Sequence, residues 1–278
     1  MNIELEDKLF QQLVTWFQIK NERVIVALSG GVDSAVVAMA AKKALDKNAI
    51  AVTADYNTLS AEELTSAKKV AKEIDIEHRV IKYNELDNIE FVKNDQLRCY
   101  HCRTELATYL SNQARQMDVG LIVDGTNTDD LSDFRPGIRA LRENGIKSPL
   151  VELGINKLHV RNIAKSKKLS VYDKPSNSCL ASRIPHGIPV TLDKLKRIET
   201  AESFIKSTFN VKQVRVRDHQ DLARIEVGKE EIKEMFDSEK ISMVDSKLKE
   251  LGFKHIALDL FGYNSRKNFK NPSYDNSS

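Results

Sequence analysis

Apolar residues four apart at Leu5, Leu9, Leu13 and Phe17 predict an amphipathic helix over residues 3–18 that covers a sheet. The β-branched run RVIVAL, Arg23 to Leu28, stops just before the pair Gly30 and Gly31. The Ala-rich run SAVVAMAAKKAL behind it has the apolar pattern of a helix. AIAVTAD predicts a second strand. Ser60 and Glu63 follow with the spacing of a capping box and predict a helix through Ile74. A third strand is placed at His78 to Lys82, a long helical region at Asp87 to Met117, and a fourth strand in GLIVDGTNTDD, which ends in a polar turn.

Strands alternating with helices predict an α/β fold with a parallel sheet. In open sheets of this kind ligands lie at the carboxyl ends of the strands, and SGGVDS and DGTNTDD both fall there. From Asp173 to Pro189 the chain is rich in Pro, Ser and Gly, and the pattern then changes to a helix near 192–208, strands at QVRVR and ARIEV, two short helices and HIALDL. The expected organisation is a larger domain over 1–187, a smaller α+β domain over 188–263 and a flexible tail over 264–278, with the boundary near Gly187.

The length of 278 residues allows two domains, and 41% hydrophobic with 30% charged residues is the profile of a globular protein with a sizeable core. No apolar run approaches the roughly 20 residues of a membrane span. MNIELEDK lacks the basic-then-apolar order of a secretion signal, so the expected location is cytoplasmic. A net charge of +3 is too small to argue for a nucleic-acid partner by bulk charge. Three cysteines, an odd number with two spaced as Cys99 and Cys102, suit metal or sulfur chemistry in a reducing compartment better than a disulfide framework.

In SGGVDS, Gly30 and Gly31 permit close backbone approach, Ser29 and Ser34 supply hydroxyls, and the following helix offers unpaired N–H groups to phosphate. A glycine pair alone would be a turn; strand, SGGVDS and helix together predict an anion cradle. No lysine follows the glycines before Lys42, so a Walker loop is not favoured, and Asp33 is placed to hold Mg2+. Asp124, Asn127 and Asp129 form either an Asx-rich turn or contacts to ribose, magnesium or substrate on the same rim.

Cys99 and Cys102 lie three apart in a helical region, where both thiols can face one way, and Cys179 lies in PSNSCLASRIPHG. Three thiolates on a 4Fe-4S cluster leave one iron open to carry sulfide. A structural zinc with His101 or His186 as fourth ligand, or three unligated cysteines, are the alternatives. Arg98, Arg103 and Arg183 neighbour the cysteines in sequence, where they can lower a thiol pKa, hold an anionic substrate, or simply line a solvated face.

SGGVDS resembles the signature of the PP-loop ATP pyrophosphatases. The ordered set SGGVDS, DGTNTDD, DFRPGIRA, SNSCLASRIPHG, QVRVRDH and ARIEV resembles the LarE-type sulfur transferases over nearly the whole chain. The resemblance implies a parallel-sheet, adenine nucleotide alpha hydrolase-like domain followed by a smaller α+β domain. It also implies ATP-dependent adenylation of the carboxylates of pyridinium-3,5-biscarboxylic acid mononucleotide and their conversion to thiocarboxylates, in assembly of the nickel-pincer nucleotide of lactate racemase. One branch of the family sacrifices the sulfur of the cysteine matching Cys179, and a three-cysteine branch uses a 4Fe-4S cluster; Cys99 and Cys102 place this chain with the second. Carried over by motif, Ser182, Arg183, Arg215 and Arg217 would bind the substrate phosphate, and Glu202, Glu226 and Glu234 match positions of a divalent-cation site near a subunit interface. A homo-oligomer, in the family a hexamer, is also implied. A tRNA-thiolating PP-loop enzyme, an amide-forming synthetase and a non-catalytic ATP-binding protein with structural zinc are the rival functions.

Overall fold

The structure is a computed structural model and describes residues 3–132 and 135–263. Asp133 and Phe134 of DFRPGIRA and the expected tail over 264–278 lie outside the described residues. The first part of the chain runs α1 (Ile3–Lys20), β1 (Val24–Ala27), α2 (Val32–Leu45), β2 (Ala49–Asp55), α3 (Ala61–Ile74), β3 (Glu77–Lys82), α4 (Ile89–Val92), α5 (Arg98–Gln116), β4 (Leu121–Val123), α6 (Pro136–Glu143), α7 (Pro149–Glu152) and α8 (Lys157–Ser166).

All pairings of the four-stranded sheet are parallel, in the order β3-β2-β1-β4. The inner strands β1 and β2, covered on both faces, are buried and mostly apolar along their length, whereas the edge strand β3, EHRVIK, buries only Ile81. On one face Val24, Val26, Ala49, Ala51 and Val123 pack with α1, α2, α3 and α8. On the other, Ile25, Ile50, Val52 and Ile81 pack against Leu106, Ala107 and Leu110 of α5. The chain leaves β1 towards β2 and β3 and returns on the opposite side as β4. The crevice beyond the carboxyl ends of β1 and β4 is therefore the switch point where ligands bind in such sheets.

Three expectations change. In α1 the buried stripe is Phe10, Leu13, Val14 and Phe17, while Leu5 is exposed, because the i, i+3, i+4, i+7 set faces the sheet. The long helix expected over 87–117 is two helices. Asn94, fully buried with φ 56, breaks it, and its side chain is used by Ile188 O (2.7 Å) and Arg98 Nη1 (2.5 Å). Ser60 caps α3 by accepting from Glu63 N (3.3 Å), but the Glu63 carboxylate turns instead to Lys174 (3.0 Å) and Asn177 (2.9 Å), so half of the box is made.

The chain forms two compact units, one up to Ala181 together with His186–Leu192, the other Ser182–Pro185 with the chain from Asp193 onward. Gly187 lies in the His186–Leu192 segment of the first unit. Its N–H donates to Asn94 O (3.0 Å) and Val190 N–H to Val92 O (3.0 Å), which ties the Pro- and Gly-containing segment to the loop after α4. The second unit holds α9 (Leu192–Phe209), β5 (Val214–His219), β6 (Leu222–Val227), α10 (Ser238–Glu250) and β7 (His255–Leu258). β5 pairs antiparallel with β6, and β6 parallel with β7. Val214, Val216, Ala223, Ile225, Phe209 and Leu248 are among its core residues. Among the described residues no helix is long and apolar enough to cross a membrane.

Candidate active site

The loop after β1 is held by its own serines. Ser29 N–H donates to Ser34 Oγ (3.2 Å), the two hydroxyls share a hydrogen bond (3.1 Å), and Ser34 Oγ donates to Gly31 O (3.2 Å). Gly30 has φ +78, and an added Cβ would lie 2.5 Å from Glu63 O, so both conformation and space require glycine. Gly31 caps α2 without a side-chain hydrogen bond. The first-turn N–H groups are consequently left to a ligand, and the positive end of the helix dipole favours an anion there.

Gly125, at the end of β4, presses on this turn: a Cβ there would lie 2.6 Å from Ser34 N. That contact brings DGTNTDD against SGGVDS. Asn127 Nδ2 donates to Asp33 Oδ1 (3.1 Å), joining two residues that are 94 apart in sequence. Asn127 Oδ1 accepts from Asp129 N–H (3.0 Å), and Asp124 is buried, accepting from Ser148 Oγ (2.7 Å), Thr126 Oγ1 (2.5 Å) and Thr126 N–H (3.2 Å). The Asx turn and the rim are thus one structure.

Sequence reasoning missed two lysines here. Lys157, the first residue of α8, donates to the other oxygen of Asp33. Lys174 donates to Gly30 O (3.0 Å) and pairs with Glu63 (3.0 Å). Both come from segments more than a hundred residues from the loop, and a lone lysine carries no motif. Asp33 as a Mg2+ holder requires Lys157 to give way; its carboxylate is an oxygen donor of the kind Mg2+ takes, while Asn127 turns its NH2 towards it.

The thiols are arranged unequally. Cys99 is exposed, Cys102 buried and Cys179 half-buried. Burial, reinforced by the Glu85 carboxylate, pushes the Cys102 thiol well above its ordinary range, and it donates to Glu85. Glu85 is itself fully buried and is pushed up by burial, against hydrogen bonds from Cys102 and from Thr58 Oγ1 (2.5 Å). Thr58 O accepts from Leu180 N–H (2.9 Å), next to Cys179, so Glu85 and Thr58 link the two inner cysteines. Tyr56 and Tyr83 stand over this wall with their hydroxyls pushed up by burial, and Tyr83 stacks on Tyr109 at 4.3 Å.

Among the described residues no three His, Cys, Asp or Glu side chains are gathered as for a metal ion. A cluster needs three accessible thiolates. Here Cys99 faces solvent while Cys102 is protonated against Glu85, so the thiols as they lie do not fit one. His186, the alternative zinc ligand, bonds through Nδ1 with Asn94 O (3.1 Å), and His101 packs edge-on against Tyr100.

In the second unit Ser182, Arg183, Arg215 and Arg217 come together with Glu202 and Glu226. Arg183 is buried and forks onto Glu202 (2.8 and 2.9 Å), with Nη1 donating to Ser182 Oγ (3.2 Å). Arg217 forks onto Glu226 Oε2 (3.1 and 2.8 Å) and donates to Ser182 O (2.9 Å). Arg215 lies over the Tyr263 ring at 5.3 Å, and burial, then Arg183, lowers its pKa. Glu234 is exposed beside Lys233 (3.8 Å). Glu202, Glu226 and Glu234 are therefore not a gathered cation site in this chain: the first two serve arginines.

Residues 23–101 match the family model described as queuosine biosynthesis protein QueC. Over 246 residues, 88% of this chain and 91% of the relative, the chain is 41% identical to an uncharacterized protein of Synechocystis sp.. It is 32% identical over 89% of its length, and 93% of the relative, to an uncharacterized protein of Methanocaldococcus jannaschii. It is 31% identical over 88% of each chain to the pyridinium-3,5-bisthiocarboxylic acid mononucleotide synthase of Lactiplantibacillus plantarum. With the parallel sheet, the anion cradle at its switch point and this similarity over most of its length, the chain belongs to the LarE-type PP-loop sulfur transferases.

Proposed function

We propose that the protein is an ATP pyrophosphatase-type sulfur transferase that adenylates the carboxylates of pyridinium-3,5-biscarboxylic acid mononucleotide and converts them to thiocarboxylates. The observation that carries this reading is the uncapped turn Ser29 to Ser34, an anion cradle with Asp33 and Asn127 at its edge, in a chain so similar to a bisthiocarboxylic acid mononucleotide synthase.

A carboxylate oxygen of the substrate attacks the α-phosphorus of ATP, and pyrophosphate leaves onto Ser29, Gly30, Gly31 and Ser34. Asp33 would hold Mg2+ once released by Lys157, and the ion would offset the charge that develops on the leaving group. Asp124, Asn127 and Asp129 line the ribose and metal side. The Cys179 thiolate then attacks the acyl carbon, and AMP departs with the former carboxylate oxygen to leave a thioester; loss of the Cys179 α-proton to a base then breaks the Cβ–Sγ bond, which releases the thiocarboxylate and leaves dehydroalanine. Ser182, Arg183, Arg215 and Arg217 hold the substrate phosphate, a task for which planar guanidinium forks are suited.

The finer form of the proposal places a 4Fe-4S cluster on Cys99, Cys102 and Cys179. Three thiols without a fourth cysteine support it by composition. It requires Cys102 to turn from Glu85 and lose its proton, and no step above depends on it. Anaerobic iron and acid-labile sulfide analysis decides: about four of each per chain, lost in Cys99→Ala, Cys102→Ala, support the cluster. Absence of both, with conversion of Cys179 to dehydroalanine by intact mass, supports sacrifice of its sulfur.

The activity itself is tested by incubating the protein with ATP, Mg2+ and the pyridinium dicarboxylate mononucleotide. The reading expects substrate-dependent pyrophosphate and AMP, with Cys179→Ala still releasing pyrophosphate but forming no thiocarboxylate. Full thiolation by that variant, or pyrophosphate release that ignores the substrate, would contradict it.

A further inference from the structure

Of the three arginines that neighbour the cysteines in sequence, two are spoken for. Arg98 is buried and donates to Asn94 Oδ1 (2.5 Å) and Ala181 O (2.9 Å), bracing the loop after α4. Arg183 is forked onto Glu202. Arg103 differs: among the described residues its guanidinium has neither a hydrogen bond nor an ion pair, although the groups acting on it include Tyr56, Cys102, Cys179 and Asp124.

Asp124 and Glu85 lie within its field, but neither accepts a hydrogen bond from it, and both Asp124 oxygens already accept from Thr126 and Ser148. The half-buried guanidinium stays charged and carries five N–H donors, none of which has an acceptor among the described residues. Its place is also fixed, since Gly137 of α6 packs on the stem so closely that a Cβ there would lie 3.0 Å from Arg103 Cγ. Two buried side-chain oxygens nearby, Tyr83 Oη and Thr104 Oγ1 of the same helix as Arg103, have no partner among the described residues. A native interior leaves few such atoms, and a concentration of them marks a place completed by a ligand.

We propose that Arg103 binds the reacting carboxylate of the substrate, a planar anion set between Asp124 on the nucleotide side and the sulfur of Cys179. A guanidinium offers two parallel N–H donors to a carboxylate, which fixes the plane of the acyl group as well as its position. Phosphate has its own place in the uncapped turn of α2, so the anion left for Arg103 is the one that is adenylated and then thiolated. This inference rests on the reading given under Proposed function.

The test uses R103Q and R103K in the full chain, with pyridinium-3,5-biscarboxylic acid mononucleotide as substrate and pyridine-3,5-dicarboxylate as a binding probe. KM for the dicarboxylate is expected to rise at least about tenfold in R103Q and by less in R103K. KM for ATP should stay within about twofold of wild type, which a merely structural role would not predict. Calorimetry should show the probe binding wild type and not R103Q. Unchanged KM and probe binding in R103Q overturn the proposal, as does a wild-type KM in R103K should R103Q fail to fold. If wild type releases no pyrophosphate with the substrate but the probe still binds through Arg103, the functional reading fails and this one stands.

Discussion

The nucleotide loop and the arginine cluster of the second unit are both anion sites by sequence, yet they are built in opposite ways. Around Ser29 to Ser34 serine hydroxyls and two close glycine contacts fix the backbone, Lys174 and Lys157 hold only Gly30 O and the Asp33 carboxylate of the loop, and the first-turn N–H groups of α2 carry no side-chain cap. At Arg183 and Arg217 the cations are present, but Glu202 and Glu226 already occupy their forks. A phosphate arriving there must compete with a carboxylate; a phosphate arriving at the loop meets first-turn N–H groups that no side chain caps. Counting arginines in a motif thus locates a charged cluster without saying whether its charge is available.

That contrast is broken most strongly at Glu202. Removing it leaves Arg183, only 1% exposed, without its partner, so Glu202→Ala should destabilise the protein by about 3–5 kcal/mol in urea titration. Unchanged stability without added metal, with loss only on chelation, would restore a cation-binding role. On the loop side, Asp33→Ala should leave the fold intact and lower pyrophosphate formation by about 10²–10³-fold, the range for losing one preorganised electrostatic group. Normal release would remove Asp33 from the metal role. Ser60→Ala should cost about 1 kcal/mol, the usual value of one N-cap, and Glu63→Gln should not undo the cap because the carboxylate faces Lys174 instead.

The smallest effect is a pH dependence at β3. Thr53 Oγ1 donates to Leu28 O (2.7 Å) and so accepts from His78 Nε2 (2.8 Å), a bond that the neutral and the charged ring can both make, while burial followed by Lys68 lowers the His78 pKa below its ordinary 6.5. The unfolded chain then binds more protons than the folded one just below 6.5, so stability present above that pH falls as the solution is acidified through it. His78→Gln should flatten the melting temperature over that interval; an unchanged slope would assign the dependence elsewhere.

The first half of the fold was legible because its signals are local. β2 and α3 fall where the run AIAVTAD and the Ser60 cap place them, and SGGVDS sits directly between its strand and its helix. What was not legible is contributed from a distance. Lys157 and Lys174 reach the loop from beyond β4, and the wall around Cys102 is assembled from Thr58, Glu85, α5 and the Cys179 loop, none of which has a spacing that announces the others. Three-residue spacing on α5 put Cys99 and Cys102 on one side by rule. Burial separated them, because the helix turns only one of the two into the Glu85 pocket. Asn94 broke a helix that the apolar pattern would have continued, for a tertiary reason: Ile188 and Arg98 both use its side chain.

The most direct measurement follows an oxygen atom. With both substrate carboxylates labelled by ¹⁸O and ATP unlabelled, adenylation followed by sulfur attack predicts one labelled oxygen in AMP for each thiocarboxylate formed and none in pyrophosphate. Unlabelled AMP alongside thiocarboxylate product, or label in inorganic phosphate, would mean that the carboxylate is not activated at the α-phosphorus and would contradict the account.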